Sequence, residues 1–176
     1  MHRLRRIFLR LIYTLRVGFP FVRKNYERAE LMCREIVKKV PRDSLFHWWL
    51  SKILYRKGRL DEAIQELYVA IGLESKTYSM DRVDLITMLL QAKRYEDAIV
   101  ECNKLIDKDF HNLNSFTRPM HQYVVYWGLA QAYHGLGDYR RAKEAAEKAL
   151  PYYSRRAKPQ LRRYIAQCEE YLREEK

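Results

Sequence analysis

Four alanines recur in similar surroundings along this chain of 176 residues, at Ala29, Ala63, Ala98 and Ala142. Each follows a Tyr or a Leu by three positions, and successive alanines are 34, 35 and 44 residues apart. A period near 34 indicates stacked helical hairpins, because a single hairpin buries its apolar face only against its neighbours. The sequence therefore predicts an all-α fold and disfavours an enzyme.

The repeat around Ala63 shows how one period forms a hairpin. A helix over 46–57 turns Leu50 and Leu54 inward, and Gly58 ends it in the left-handed conformation. A second helix opens at 59–62 with acids in its first turn, where they favour the helix dipole. The apolar stripe of that second helix is Ala63, Leu67 and Ala70.

The repeat at 123–152 is the most regular, and it resembles the tetratricopeptide repeat. At the family's Trp, Gly, Tyr, Ala and Phe positions stand Tyr126, Ala130, Tyr133, Ala142 and Ala146. The resemblance implies a right-handed α-α superhelix, a solenoid of about four helical hairpins plus a C-terminal capping helix. It also implies a scaffold or adaptor that binds a protein segment in a concave groove.

The predicted organisation is a basic amphipathic helix over 1–19, repeats over 20–152 and a capping helix over 153–176. Because a proline interrupts a helix, the first helix is predicted to end near Val17 and the next to begin at Pro20. About ten extra residues precede the last repeat, and we expect a loop over 108–116 there. Such an insertion is either functional or simple drift.

The N-terminal helix has three interpretations. Its apolar face is formed by Leu4, Ile7, Phe8, Leu11, Ile12 and Leu15. As the first helix of repeat one, it would bury this face against 21–39. As an interfacial helix, it would place arginines on anionic headgroups. As an Arg-rich, acid-free presequence, it would direct the protein to mitochondria.

Positive charge is concentrated near the two ends of a chain whose formal net charge is +12. The basic patch residues are Arg3, Arg5, Arg6, Arg10, Arg155, Arg156, Lys158, Arg162 and Arg163. Such patches suit phospholipid, nucleic acid or an acidic protein, or they only keep the surface soluble. RNA binding is the alternative function, with Tyr152, Tyr153 and Tyr164 available to stack on bases.

Motifs that carry chemistry are missing from the sequence. The five histidines lack metal-ligand spacing, no Gly-rich phosphate loop is present, and no cofactor or metal is expected. The three cysteines form no close pair, which indicates a reducing, cytoplasmic compartment. Arg10 and Arg16 interrupt the N-terminal apolar run, so we expect no signal peptide and no membrane span.

In the family that the chain resembles, the first helix of each hairpin lines the groove. The residues at such positions here are Trp48, Lys52, Tyr55, Arg56, Thr87, Gln91, Trp127, Gln131 and His134. Aromatic rings flanked by cations suit a peptide of acidic character. The alternative for Trp48 and Trp127 is packing between repeats. A further alternative is self-assembly, with a terminal helix of one copy in the groove of the next.

Overall fold

The computed structural model describes residues 2–73, 79–108, 118–156 and 158–174, with side chains over 9–73, 81–106, 122–156 and 158–174. In these residues the chain forms nine α-helices and no strand, which confirms the all-α prediction. The helices are α1 (His2–Val22), α2 (Tyr26–Lys39), α3 (Ser44–Arg56), α4 (Leu60–Leu73), α5 (Ser79–Gln91), α6 (Tyr95–Lys108), α7 (Arg118–Gly135), α8 (Tyr139–Ala149) and α9 (Lys158–Glu174). Apart from residue 108, the predicted loop over 108–116 lies outside the described residues.

The helices group into two compact units, unit 1 (Met1–Asp81) and unit 2 (Arg82–Lys176). In unit 1, α1 packs on α2 and α3 on α4, and the second hairpin joins the first through contacts of α3 with α2 and α1. In unit 2, α7 packs on α6 and α8, and α9 packs on α8. Consecutive helices are thus neighbours from α1 to α4 and from α6 to α9, as the repeat period predicts.

The four alanines of the period occupy the first turns of α2, α4, α6 and α8, and all four are fully buried. The amide of each alanine donates a hydrogen bond to the carbonyl four residues earlier, at 2.9–3.0 Å. A methyl side chain at this point lets the helix begin close to its hairpin partner. The alanine period is therefore a packing requirement that recurs in every hairpin.

A second feature recurs with the alanines: the first helix of each hairpin ends in the same turn. The turn residues have a positive φ, and they are Lys24 (59°), Gly58 (77°), Lys93 (56°) and Gly137 (77°). In each case the next amide donates to the carbonyl five residues back, at 2.9–3.0 Å, which is the Schellman arrangement. Each turn residue lies five positions before its alanine. All four hairpins therefore have the same connection, including the first.

The predicted boundary at Pro20 is wrong. Helix α1 continues through Pro20 to Val22, and α2 begins at Tyr26. Pro20 lies in the last turn of α1, where its ring is buried and its carbonyl accepts the turn bond from the Asn25 amide at 2.9 Å. The proline removes one backbone bond from the helix, and the left-handed turn at Lys24 ends the helix instead.

The packing face of α1 also differs from the prediction. Of the predicted apolar face, Leu11 and Leu15 are more than half exposed, and the side chains of Leu4, Ile7 and Phe8 lie outside the described residues. The helix turns Val17 and Pro20 inward instead. The reason is that α1 is apolar on two sides, and only one of them faces α2 and α3.

Candidate protein-binding surfaces

One group of predicted groove residues lies together on α3 in unit 1. Trp48, Lys52 and Tyr55 follow the i, i+4, i+7 spacing of one helix face, and exposed Arg56 adjoins them. The ammonium of Lys52 lies 5.6 Å from the centre of the Trp48 ring, in cation–π geometry. The Trp48 ring also meets the Trp49 ring in an edge-to-face arrangement, with centres 5.2 Å apart. The four residues form one basic, aromatic surface, which we call the α3 face.

Three further predicted groove residues are exposed on unit 2. Thr87 and Gln91 lie on α5, and Gln131 lies on α7. The Thr87 hydroxyl donates to the Val83 carbonyl of its own helix at 2.9 Å. These side chains supply polar groups to the surface of unit 2.

The remaining two, Trp127 and His134, pack against other aromatic residues of unit 2. The Trp127 ring meets Tyr164 of α9 edge-on at 5.0 Å and Tyr153 at 6.2 Å. The His134 ring lies 5.6 Å from Tyr164. These contacts tie α9 to α7, which is what the packing alternative for Trp127 requires. A binding role for Trp127 and His134 stays a prediction.

The C-terminal basic residues are largely open to solvent. Arg155, Arg156, Arg162 and Arg163 are exposed, and Lys158 is partly buried. At the N-terminus, Arg10 pairs with Asp43 at 3.1 Å, and the side chains of Arg3, Arg5 and Arg6 lie outside the described residues.

The tyrosines near this basic patch are packed within the protein. Tyr152 stacks on Tyr126, and the Tyr153 hydroxyl accepts a hydrogen bond from Tyr123 at 3.2 Å. The Tyr164 hydroxyl donates to the Ala130 carbonyl at 2.8 Å. Burial is the main reason that the pKa values of Tyr153 and Tyr164 are raised. A base could therefore stack only on the parts of these rings that their contacts leave open.

The sequence reasoning missed a groove on unit 1 between α1 and α2. This N-terminal groove has a volume of about 870 Å³ and is lined by Ile12, Leu15, Arg16, Phe19, Pro20, Arg23, Asn25, Arg28 and Met32. Leu15 and Phe19 are each 62% exposed, and the Arg23 guanidinium lies 4.3 Å from the centre of the Phe19 ring. The signal that would have found it is the repeat register, which aligns Leu15 with Trp49 one period later.

A network of charged side chains connects α2 to the turn between α3 and α4 around the buried Glu30 carboxylate. The Glu30 carboxylate accepts hydrogen bonds from Arg34 at 2.7 Å, Lys57 at 2.7 Å and Arg59 at 2.8 Å. Burial acts to raise the pKa of Glu30, but hydrogen bonds from Lys57 and Arg34 and their charges outweigh it and lower the pKa to about 2. The network holds the turn after α3 against α2.

The cysteines are buried packing residues, and the other potential metal ligands among the described residues do not cluster. Cys33, Cys102 and Cys168 are all buried and free, and burial raises the pKa of each thiol, to about 12 for Cys33. Over the described ranges, no group of His, Cys, Asp or Glu is close enough to hold a metal ion. Among the same residues, none of the helices has the length and apolar character needed to span a bilayer.

Comparison with known proteins agrees with this architecture. Models of the tetratricopeptide repeat match residues 23–75 and 123–151. A crystal structure of MamA protein superposes with a TM-score of 0.76 at 17% identity, covering 92% of this chain and 81% of that one. MamA from Desulfovibrio magneticus RS-1, from residue 41 onwards, gives 0.67 at 16% identity, covering 93% and 94%. A search of curated proteins found no match.

At these identities the likeness to MamA shows the fold alone, and it confirms the helical-repeat solenoid class. The first matched segment contains α2, α3 and α4, and the second contains α8 with most of α7. The buried alanine and the left-handed turn recur in all four hairpins, including the α5–α6 hairpin, whose turn and alanine lie outside the matched segments. The chain therefore contains tetratricopeptide repeats, matched directly over 23–75 and 123–151.

Proposed function

We propose that this protein is a non-catalytic scaffold whose α3 face binds a peptide segment of acidic character. Helical repeats of this family serve as protein-interaction scaffolds, and that general role follows from the fold and the family. The choice of the α3 face rests on one observation, the Lys52 ammonium held 5.6 Å from the Trp48 ring beside exposed Arg56.

The chemistry of this surface supports an acidic ligand. A partly buried indole offers a large contact area at a low cost in side-chain entropy. The neighbouring ammonium and guanidinium groups make charge-assisted hydrogen bonds to carboxylates, which are shorter and stronger than neutral ones. Carboxylates spaced along a peptide would therefore meet Lys52 and Arg56 while an apolar side chain covers Trp48.

The experiment is selection of random 12-residue peptides displayed on phage against the full chain. We expect the selected peptides to be enriched in Asp and Glu beside an apolar anchor. One synthetic representative is then titrated by fluorescence anisotropy. Trp48→Ala should weaken binding at least tenfold, as loss of an aromatic anchor does. Lys52→Ala should weaken it about fivefold, as loss of one exposed ion pair does.

The matched control is Lys148→Ala, which removes an exposed lysine from α8. Its affinity for the peptide should equal that of the unaltered chain. Selected peptides without acidic enrichment, or equal binding by Trp48→Ala and Lys148→Ala, would rule the proposal out.

Membrane binding, RNA binding and self-association stay predictions with their own tests. If the protein binds RNA through phosphate contacts, its affinity should fall steeply as the salt concentration rises. A band shift with a short RNA at about 50 mM salt tests this, and the absence of a shift would rule RNA binding out. Self-association would appear as a mass that rises with concentration in sizing with light scattering. Deleting residues 1–17 is a poor test of membrane binding, because it removes buried Val17.

A further inference from the structure

The N-terminal groove has a counterpart one repeat later, and that counterpart is covered. Moving each lining position forward by 34 residues gives Phe46, Trp49, Leu50, Ile53, Leu54, Lys57, Arg59, Glu62 and Glu66. These positions lie on α3, on α4 and in the turn between them. The groove on α1 and α2 is therefore the same surface of the hairpin, in the same register.

On the second hairpin this surface receives the first hairpin. Phe46 and Ile53 are fully buried, and the Tyr13 ring of α1 meets Phe46 edge-on at 5.9 Å. The Trp49 ring packs against Phe21 of α1 with centres 5.4 Å apart. Helices of a preceding hairpin are thus the structure that this surface fits.

On the first hairpin the corresponding side chains are open. Ile12 is 37% exposed, and Leu15 and Phe19 are 62% exposed, where Phe46, Trp49 and Ile53 stand one repeat later. An apolar surface of this kind in a monomer marks an interaction site.

The charges around the groove specify the chemistry of its occupant. One repeat later, Lys57 and Arg59 donate to Glu30 of the covering hairpin. In the groove, Arg23 stands at the Lys57 position, and Arg28 stands where Glu62 stands one repeat later. With Arg16, the lining residues contain three exposed arginines and no carboxylate. An occupant that fits must bring acids to the edges of the groove.

We propose that the N-terminal groove binds an amphipathic α-helix of a partner protein, apolar on one face and flanked by Asp or Glu. The apolar face covers Ile12, Leu15 and Phe19, and the acids pair with Arg23 and Arg28. A helix is favoured over a bilayer because the equivalent surface of α3 and α4 is filled by helices that pack between its ridges. This site uses α1 and α2, so it is separate from the α3 face.

The test is a displayed library of 16-residue helix-forming peptides, with leucines fixed along one face and the flanking positions randomised. It is selected on the full chain and on Phe19→Ala, whose altered side chain is 62% exposed and so leaves folding intact. We expect Asp and Glu to be enriched at the flanks on the unaltered chain alone. A synthesised winner should bind Phe19→Ala at least tenfold more weakly.

Charge is tested separately with Arg23→Glu/Arg28→Glu, which should also weaken the winner at least tenfold. The matched control, Arg140→Glu, reverses an exposed arginine on α8 and should leave affinity unchanged. Peptides without acidic enrichment, or equal binding to Phe19→Ala, would overturn the proposal.

Two other occupants would also overturn it. Sedimentation with phosphatidylserine vesicles that Phe19→Ala abolishes, in a chain that enriches no peptide, would assign the groove to a membrane. A concentration-dependent dimer that Phe19→Ala abolishes would assign it to a second copy of this chain.

Discussion

At the scale of single residues, Glu30 is a buried charge that stabilises unit 1. Its carboxylate is buried and bound by three cations. We expect Glu30→Gln to lower the free energy of unfolding by about 2–3 kcal/mol at pH 7, because the cations lose a charged acceptor. Urea unfolding followed by circular dichroism measures the change.

The same contact has a defined dependence on pH. Because the pKa of Glu30 is lowered from 4.5 to about 2, its stabilisation is fully present above pH 4.5 and is lost as the pH falls towards 2. The difference between Glu30→Gln and the unaltered chain should shrink over that range. Glu27→Gln is the matched control, since Glu27 also binds Lys57 but its side chain is 83% exposed. It should cost under about 0.5 kcal/mol, and a larger cost would contradict this account.

Of the six glycines, Gly135 has the least room for a side chain. A Cβ added there would lie 2.3 Å from the ring of Tyr95, which packs across the end of α7. We expect Gly135→Ala to destabilise the protein by about 1–3 kcal/mol, as overpacking does.

A second glycine provides the control for this substitution. Gly72 on α4 has no atom within 4 Å of an added Cβ. Gly72→Ala should be neutral or stabilising by up to about 1 kcal/mol, because alanine favours a helix. Thermal melts of both variants compare them directly. An unchanged melting temperature for Gly135→Ala would show that the Tyr95 ring moves aside freely.

At the scale of helices and turns, the sequence predicts the hairpins well where glycine marks the turn. Gly58 and Gly137 identify two turns directly. Lys24 and Lys93 adopt the same left-handed conformation, although lysine is not a residue type that indicates such a turn. Only the period reveals Lys24, which lies 34 residues before Gly58. Local rules instead favoured Pro20 as the boundary, because a proline is the stronger sequence signal for a helix end.

These two lysine turns predict stabilising substitutions. Lys24→Gly and Lys93→Gly should each raise the free energy of unfolding by about 0.5–1 kcal/mol, because glycine can adopt a positive φ without the steric cost that a Cβ brings. Both side chains are exposed, so no packing is lost. Gly58→Ala should act in the opposite direction by about 1 kcal/mol. Chemical denaturation of the three variants tests the set, and a destabilising Lys24→Gly would contradict it.

The face of α1 shows why a helix examined alone is misread. Its apolar residues lie on two sides, and helical spacing does not distinguish the side that meets a neighbour from the side that stays open. Repeat register distinguishes them, because Val17 and Pro20 align with buried Ser51 and Leu54 of α3. The exposed side was predictable only by comparing one hairpin with the next.

At the scale of the whole molecule, each unit has its own buried core and its own vulnerable residue. Glu30 belongs to unit 1 and Gly135 to unit 2. We therefore expect the effects of Glu30→Gln and Gly135→Ala to add within about 0.5 kcal/mol in the double variant. Denaturation of the two single variants and the double variant completes the cycle. A coupling above about 1 kcal/mol would show that damage to one core reaches the other.

The candidate surfaces were predicted less completely than the fold. The pattern of first helices selected Trp48 and Lys52, which the structure places side by side. The same pattern selected Trp127, whose ring contacts Tyr164 of the C-terminal helix. Sequence periodicity identifies the helix face but not the neighbouring element that covers it, because that depends on how the chain continues after the last repeat.

The three buried thiols can be used to measure how often different parts of the protein open locally. Cys33 lies on α2, Cys102 on α6 and Cys168 on α9, so one thiol samples each of three separate parts of the chain. A thiol-specific reagent modifies a buried cysteine only while its surroundings are transiently open. The rate at which each cysteine is labelled under native conditions therefore measures the opening equilibrium of its own segment, without an added probe.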